Sequence, residues 1–405
     1  MNDVIIVGSG VAGHSAAREL SRLAPHLSVR IIGAEQGFPY DRPALSKDYL
    51  LAPNAKMPTL GAVDIYGENP ALADGTTVVK IDRHRKTVIT GAGEVLPYRK
   101  LLLATGSRLR KLPIVSADNA RIHYLRTVGE AQKLRDTLHN CKSVAIVGGG
   151  FVGLEVAAAA RQLGCEVTVL EQDGRLVSRV GTPAMSSRIL NLHRANGVNI
   201  VFGASVMQIE ADASGVTVYW AGSEIRTDMI VVGIGVLPNS ELADEAGVVT
   251  DDGILVDCHG RTSDASIFAA GEVTNYPIGR LGVHARTESW TTAGSQAVVA
   301  AATIAGEYRP FHELPWFWTD QYDANIQCLG LPVKASQFFD VGGLGEGSWL
   351  TIGLDDDGNL VGAEGFNAGR YISSLRRADR NWQPIPHELL KWSQPRESVG
   401  AAVDG

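Results

Sequence analysis

The chain has 405 residues, 37 Lys and Arg against 44 Asp and Glu, and a formal net charge of −7, which argues against a nucleic-acid binder because neutralising phosphates needs a cationic surface. At roughly 150 residues per domain the length calls for two or three cores, and 45% apolar content with 45 glycines describes a globular protein whose turns come close to ligands. No run reaches the roughly 18 apolar residues of a membrane span, and Cys141, Cys165, Cys258 and Cys328 are too scattered for a zinc site or a dithiol made of sequence neighbours. The apolar start at residues 4–7 follows Asp3 and lacks the basic region of a signal peptide, so the N-terminus is expected to belong to the fold and the protein to be cytoplasmic, its thiols reduced.

The first predicted element is a buried parallel strand, VIIV from Val4, followed by Gly8, Gly10 and Gly13 in a GxGxxG turn and an Ala-rich helix. A second strand, VRII from Val29, leads to Glu35. The chemistry of a dinucleotide needs this order: Gly8 for the tight turn, Gly10 for backbone approach to a pyrophosphate, Gly13 for helix packing. The helix N-terminus then faces the phosphates, and Glu35 can accept from ribose hydroxyls. After a variable region comes the strand LLLATG from Leu101, ending in Ala104, Thr105 and Gly106.

The pattern then repeats. VAIVGGGFVGLEVAAAA from Val144 supplies Gly148, Gly150 and Gly153, VTVL from Val167 leads to Glu171, and IVVGIGVLPN from Ile230 carries Gly235 as the counterpart of the ATG segment. A carboxylate at 171 favours two free ribose hydroxyls and repels a 2′-phosphate, so NADH is expected over NADPH, with Arg175 and Arg179 close enough to temper the preference. Two such folds imply a hydride relay between two cofactors.

Further along lie SIFAAGEV from Ser266, with Gly271 and Glu272, and RTESWTTAGSQA from Arg286, with Trp290. From Trp316 the composition turns to aromatics, short alternating stretches and a DDDGN turn at 355–359, which predicts a smaller α+β unit with antiparallel strands. Within it RYISSLRRADR from Arg370 predicts an amphipathic helix with Arg370, Arg376, Arg377 and Arg380 on one face and Tyr371, Ile372, Leu375 and Ala378 opposite. That basic face is either solvated or a docking surface for an acidic protein.

The blocks FPYDRPALSK from Phe38, GGGFVGLE, RTESWTTAGSQA and WFWTDQYD from Trp316 resemble the FAD-dependent NADH:ferredoxin reductases of bacterial oxygenase systems. That group includes the putidaredoxin and biphenyl dioxygenase reductases and is related to apoptosis-inducing factor. Thr287 and Glu272 depart from its usual Leu and Asp. The resemblance implies an α/β fold of two Rossmann-type domains, as in glutathione reductase, plus a C-terminal α+β domain. Residues 1–109 and 237–312 would bind FAD, 110–236 NADH, and 313–405 would pack against the flavin. It implies that Gly271 and Glu272 hold the ribityl or pyrophosphate end of FAD, that Arg42, Pro43 and Lys47 lie near its ring, and that Glu155 pairs with Lys47. Glu155 could equally serve the helix dipole. Trp316 and Trp318 either pack a core or border the flavin, and Trp290 joins the FAD residues. Related disulfide reductases carry cysteine after the first βαβ unit, where this chain has none, so electrons would pass directly outward. The implied function is transfer from NADH through FAD to a two-iron ferredoxin feeding an oxygenase, in a monomer or weak homodimer. The alternatives are an NADH oxidase or peroxidase acting on dioxygen, or an NADH-sensing interaction protein.

Overall fold

A computed structural model describes residues 2–57, 59–61, 66–67, 69–113, 119–381, 383–386, 389 and 393–395. The end of the expected C-terminal unit, 396–405, lies outside the described residues. The strands Asn2–Val7, Val29–Ile32, Val95–Leu103 and Ile267–Ala269 run parallel in one sheet. Ile5 sits opposite Arg30 on one side and Leu101 on the other, and Leu101 also faces Ile267. Residues far apart in sequence thus join the first glycine turn. Such strands are buried on both faces, which is why they read as continuous apolar runs rather than alternating ones. The helices Val11–Leu23 and Trp290–Ile304 pack together on this sheet. Their Ala-rich faces bring Ala12 and Ala293 against Gly271, where a side chain would meet Ala12 Cβ at 3.0 Å.

The second glycine turn belongs to another parallel sheet, in the order Asn199–Val201, Glu166–Leu170, Ser143–Val147, Met229–Val232, Ile122–His123. A three-stranded antiparallel meander, 206–227, covers one of its faces through Val216, Val218 and Ile230. Where the chain passes between the two sheets, Ser107–Leu109 and Val236–Pro238 pair antiparallel.

From Trp316 the chain forms a six-stranded antiparallel sheet backed by the helix Gly369–Arg380, as the alternating pattern predicts. Its strand Leu360–Phe366 is buried throughout. From that strand Glu364 reaches out to accept hydrogen bonds from the backbone and hydroxyl of Thr182, tying this sheet to the second Rossmann unit. The helix buries Ile372, Leu375 and Ala378 of the four residues expected on its apolar side, while Tyr371 stays half-buried. Among the described residues no helix is long and apolar enough to cross a membrane.

Candidate functional site

The glycines of each turn sit in unlike surroundings. Gly8 holds a positive φ of 114°, and a Cβ there would collide with the carbonyl of Ala104; one on Gly13 would collide with the carbonyl of Gly8. At Gly10 a Cβ would meet nothing within 4 Å. The second turn repeats this arrangement, with Gly148 against Gly233, Gly153 against Gly148 and Gly150 open. Each turn is therefore closed by its first and third glycines and open at the second, above a helix N-terminus whose free N–H groups attract anions. This geometry fits a pyrophosphate on each turn.

Beside the first turn a cleft is lined by Ser9, Gly10, Glu35, Phe38, Tyr40 and Arg42. Glu35 accepts from Arg42 Nη2 at 2.7 Å and from the Tyr40 hydroxyl. Arg42 also donates to the carbonyl of Arg126, whose own guanidinium lies 2.6 Å from Glu272. Glu272 accepts from Ser107 as well, at 2.7 Å. Burial pushes its carboxyl up, but Arg126, Ser107 and Arg42 outweigh that and hold it below the usual range. Ala104, Thr105 and Gly106 lie against this line: Ala104 N donates to Val7, and Thr105 exchanges hydrogen bonds with Asn239. Arg126, Ser107 and Tyr40 were not legible as site residues. Arg126 precedes the capping box of the helix Val128–Leu138, a signal for a helix start and not for a ligand.

In the second unit Glu171 turns back onto the glycine turn. It accepts from Gly149 N at 2.5 Å and from Asp173 N at 2.7 Å, leaving further lone pairs for hydroxyl donors. Arg175 is taken up by Gly181, Ser178 and Ser186, so it is not available to a 2′-phosphate. Arg179 is exposed, 3.8 Å from Glu288, and approaches Gly235. Cys141 and Cys165 come within 3.6 Å. They precede the strands Ser143–Val147 and Glu166–Leu170, and so lie at the end of the sheet opposite the glycine turn.

The two units and the C-terminal sheet meet at Lys47 and Glu155. Lys47 Nζ is 2.9 Å from Glu155 Oε1, and the Ser46 hydroxyl donates to Glu155 Oε2. The pairing expected from the two blocks is therefore present, between residues 108 positions apart, and Glu155 is buried rather than placed to serve a helix end. Pro43 is the carbonyl that receives Lys47 Nζ at 3.1 Å.

The strand Trp316–Gln321 shows two faces to its neighbours, as the period of two requires. Phe317 meets Phe151 edge-on and Thr319 donates to Glu155. On the other face Trp316 and Trp318 stack at 5.2 Å, with Trp290 edge-on to Trp318 at 6.2 Å. The Trp290 indole N–H is buried with no hydrogen-bond partner among the described residues. An orphan donor of this kind fits a polar acceptor on a bound cofactor.

Arg376 is a correction to the expected basic face. Its guanidinium lies 3.7 Å from the centre of the Trp316 ring and is half-buried, with burial lowering its pKa. The helix phase placed it with the other arginines, but a long side chain can bend back over an apolar neighbour. Arg370, Arg377 and Arg380 are exposed; Arg380 pairs with Glu313 at 2.9 Å, and Arg370 lies over Tyr371.

Residues 2–297 match the pyridine nucleotide-disulphide oxidoreductase family and 316–392 the reductase C-terminal family. The ferredoxin–NAD(+) reductase component of the anthranilate 1,2-dioxygenase system of Burkholderia cepacia is 43% identical over 376 residues, covering 92% of this chain and 93% of the relative. The crystal structure of the covalent putidaredoxin reductase–putidaredoxin complex superposes with a TM-score of 0.90 at 32% identity, over 98% of this chain and 97% of the other. The ferredoxin reductase for the CYP199A2 system of Rhodopseudomonas palustris gives 0.89 at 33% identity, over 96% and 97%. Two glycine turns of matching geometry, an ion pair between them and a C-terminal sheet closing over that pair agree with these matches along the whole chain: it belongs to the pyridine nucleotide-disulphide oxidoreductase family.

Proposed function

We propose that the chain carries electrons from NADH through FAD to a small two-iron ferredoxin that supplies an oxygenase of Rieske or haem-thiolate type. The observation that carries this reading is the aromatic stack from the orphan Trp290 N–H through Trp318 and Trp316 to Arg376, which joins the region between the dinucleotide turns to a surface helix. Such a stack would offer a path from a bound flavin to a docked protein, which an enzyme that reduces dioxygen does not use.

FAD, when bound, supplies the redox chemistry, taking a hydride from reduced nicotinamide and releasing electrons singly. The chain's own residues bind and orient. Residues 1–109 and 237–312 hold FAD: Gly8, Gly10 and Gly13 shape the pyrophosphate site, Glu35 takes the ribose, and Glu272, fixed by Arg126, holds the opposite end of the cofactor. Residues 110–236 hold NADH through Gly148, Gly150, Gly153, Gly235 and Glu171. Lys47, oriented by Glu155, places a cation where the reduced ring gains negative charge. Arg370, Arg377 and Arg380, in 313–405, steer an acidic ferredoxin. The protein is cytoplasmic, and a monomer or weak homodimer.

Anaerobic addition of NADH to the purified yellow protein should bleach its flavin absorbance rapidly. Recovery should then be fast with a two-iron ferredoxin and slow in air. Recovery in air as fast as with any ferredoxin would replace this reading with an oxidase.

A further inference from the structure

Behind the Lys47–Glu155 pair runs a line of buried polar side chains that the reading above leaves unused. Thr319 Oγ1 donates to Glu155 Oε1 at 2.6 Å, Gln321 Nε2 donates to Thr319 Oγ1 at 3.1 Å, and His193 Nε2 lies 2.8 Å from Gln321 Oε1. The Tyr322 hydroxyl reaches the other nitrogen of the ring, Nδ1, at 3.5 Å. Glu155 is 6% exposed, Thr319 and Gln321 1% each, and His193 0%. They come from the helix Phe151–Gln162, the helix Pro183–Ala195 and the strand Trp316–Gln321.

Donor and acceptor chemistry gives the line a direction. A carboxylate only accepts, so Thr319 must donate to it and can then accept from Gln321. The Gln321 carbonyl oxygen only accepts, so His193 carries its proton on Nε2, and Nδ1 is left to accept from Tyr322. Each donor therefore points its positive end toward Glu155. Tyr322, which closes the line, lies in a two-residue hairpin loop with φ 57°, a left-handed conformation that bulky residues avoid and that Gly or Asn would fill more easily. Its ring packs edge-on against His193 at 5.4 Å. A residue kept in an unfavourable backbone conformation points to a task for its side chain. The charged groups at the ends of the line are Lys47, with Asp41 beyond it, and Arg161 near Tyr322.

We infer that Thr319, Gln321 and His193 are positioning residues: a one-way hydrogen-bond chain, closed by Tyr322, that fixes Glu155 and through it sets the place of Lys47. This rests on the reading that Lys47 and Glu155 serve a bound flavin. Because reduced flavin carries more negative charge than oxidised flavin, a row of donors aimed at the ion pair favours the reduced form. Breaking the row should make the flavin harder to reduce, in the same direction as removing the cation itself.

The test is the midpoint potential of FAD in the purified holoprotein, measured by equilibration with redox dyes, together with single-turnover reduction by NADH. Thr319→Val and Gln321→Met should both lower the potential, as Lys47→Ala should. Thr319→Val should slow reduction at saturating NADH about tenfold, the worth of one hydrogen bond to a charged group, and Gln321→Met, which breaks a link between neutral groups, by less, each with KM within about twofold of the parent. Thr319→Ser keeps the donor and should retain the parent potential, which separates positioning from packing. If Lys47→Ala lowers the potential while Thr319→Val and Gln321→Met do not, the chain only satisfies buried groups and the inference falls alone. If Lys47→Ala leaves the potential unchanged, the reading of the ion pair fails and the inference falls with it. Should Thr319→Val not hold FAD, Gln321→Met decides the matter one link further out.

Discussion

Gly8, Gly10 and Gly13 are the same residue under different constraints, and substitutions should separate them. A methyl group at Gly13 would drive into the Gly8 carbonyl, and one at Gly8 would meet Ala104 at a φ that L residues rarely adopt. Gly13→Ala should therefore cost about 1–3 kcal/mol of stability, the usual effect of overpacking, and lower the thermal midpoint even of the protein freed of FAD. Gly10→Ala meets open space, so the cofactor-free protein should melt as the parent does while FAD binding weakens. Equal melting losses in both variants would remove the distinction between packing glycine and ligand glycine. At Glu171 the contacts to Gly149 and Asp173 hold the carboxylate on the second turn, and Arg175 is occupied elsewhere. NADH should thus be preferred over NADPH by at least about tenfold, or roughly 1.4 kcal/mol, and Glu171→Ala should erode the preference. The ratio of kcat/KM for the two nucleotides checks both statements; equal values in the unaltered protein would refute them.

The helix Gly369–Arg380 mixes two jobs that its sequence period alone runs together. Ile372, Leu375 and Ala378 anchor it to the sheet, and three of its arginines stay in solvent while the fourth covers Trp316. Arg377→Glu combined with Arg370→Glu should raise the KM for an acidic ferredoxin about tenfold at low ionic strength and weaken its salt dependence, since complementary charge acts mainly on association. Reduction of ferricyanide by NADH should not change, because a small acceptor needs no docking face. Arg376→Glu should instead lower the thermal midpoint, by putting a carboxylate against an indole face that favours cations. A ferredoxin KM unmoved in the double variant would make this a merely solvated face. The helix itself, the two βαβ starts and the antiparallel C-terminal strands were legible because each is written locally, in a period of 2 or 3.6 or in a short apolar run ended by a glycine turn. The direction of the Arg376 side chain was not, because it depends on a tryptophan 60 positions away.

Across the whole molecule the same division holds between what neighbours in sequence decide and what packing decides. Lys47 and Glu155 could be paired through a family resemblance, yet Arg126, Thr319, Gln321 and His193 enter the site from segments whose local patterns announce only a cap, a strand and a helix. His193 illustrates the energetic consequence, since its ring is wholly buried and burial lowers its pKa below the ordinary 6.5. His14, in the first parallel-sheet unit, and His123, in the second along with His193, are shifted the same way and first of all by burial. For such a group the folded state binds fewer protons than the unfolded state once the pH drops below 6.5, so stability rises with pH there and is lost as pH falls toward each folded value. Above that point all three rings are neutral in both states and contribute no slope. The thermal midpoint of the holoprotein should therefore be flat between about pH 7 and 8 and decline between about 6.5 and 5.5, before ordinary carboxylates begin to protonate. His123 offers the cleanest control, because its Nε2 is buried without a partner among the described residues. His123→Leu removes a ring that resists protonation and should reduce the decline between pH 6.5 and 5.5 without steepening it elsewhere. A midpoint that rises on acidification through this window would contradict the burial argument for all three histidines.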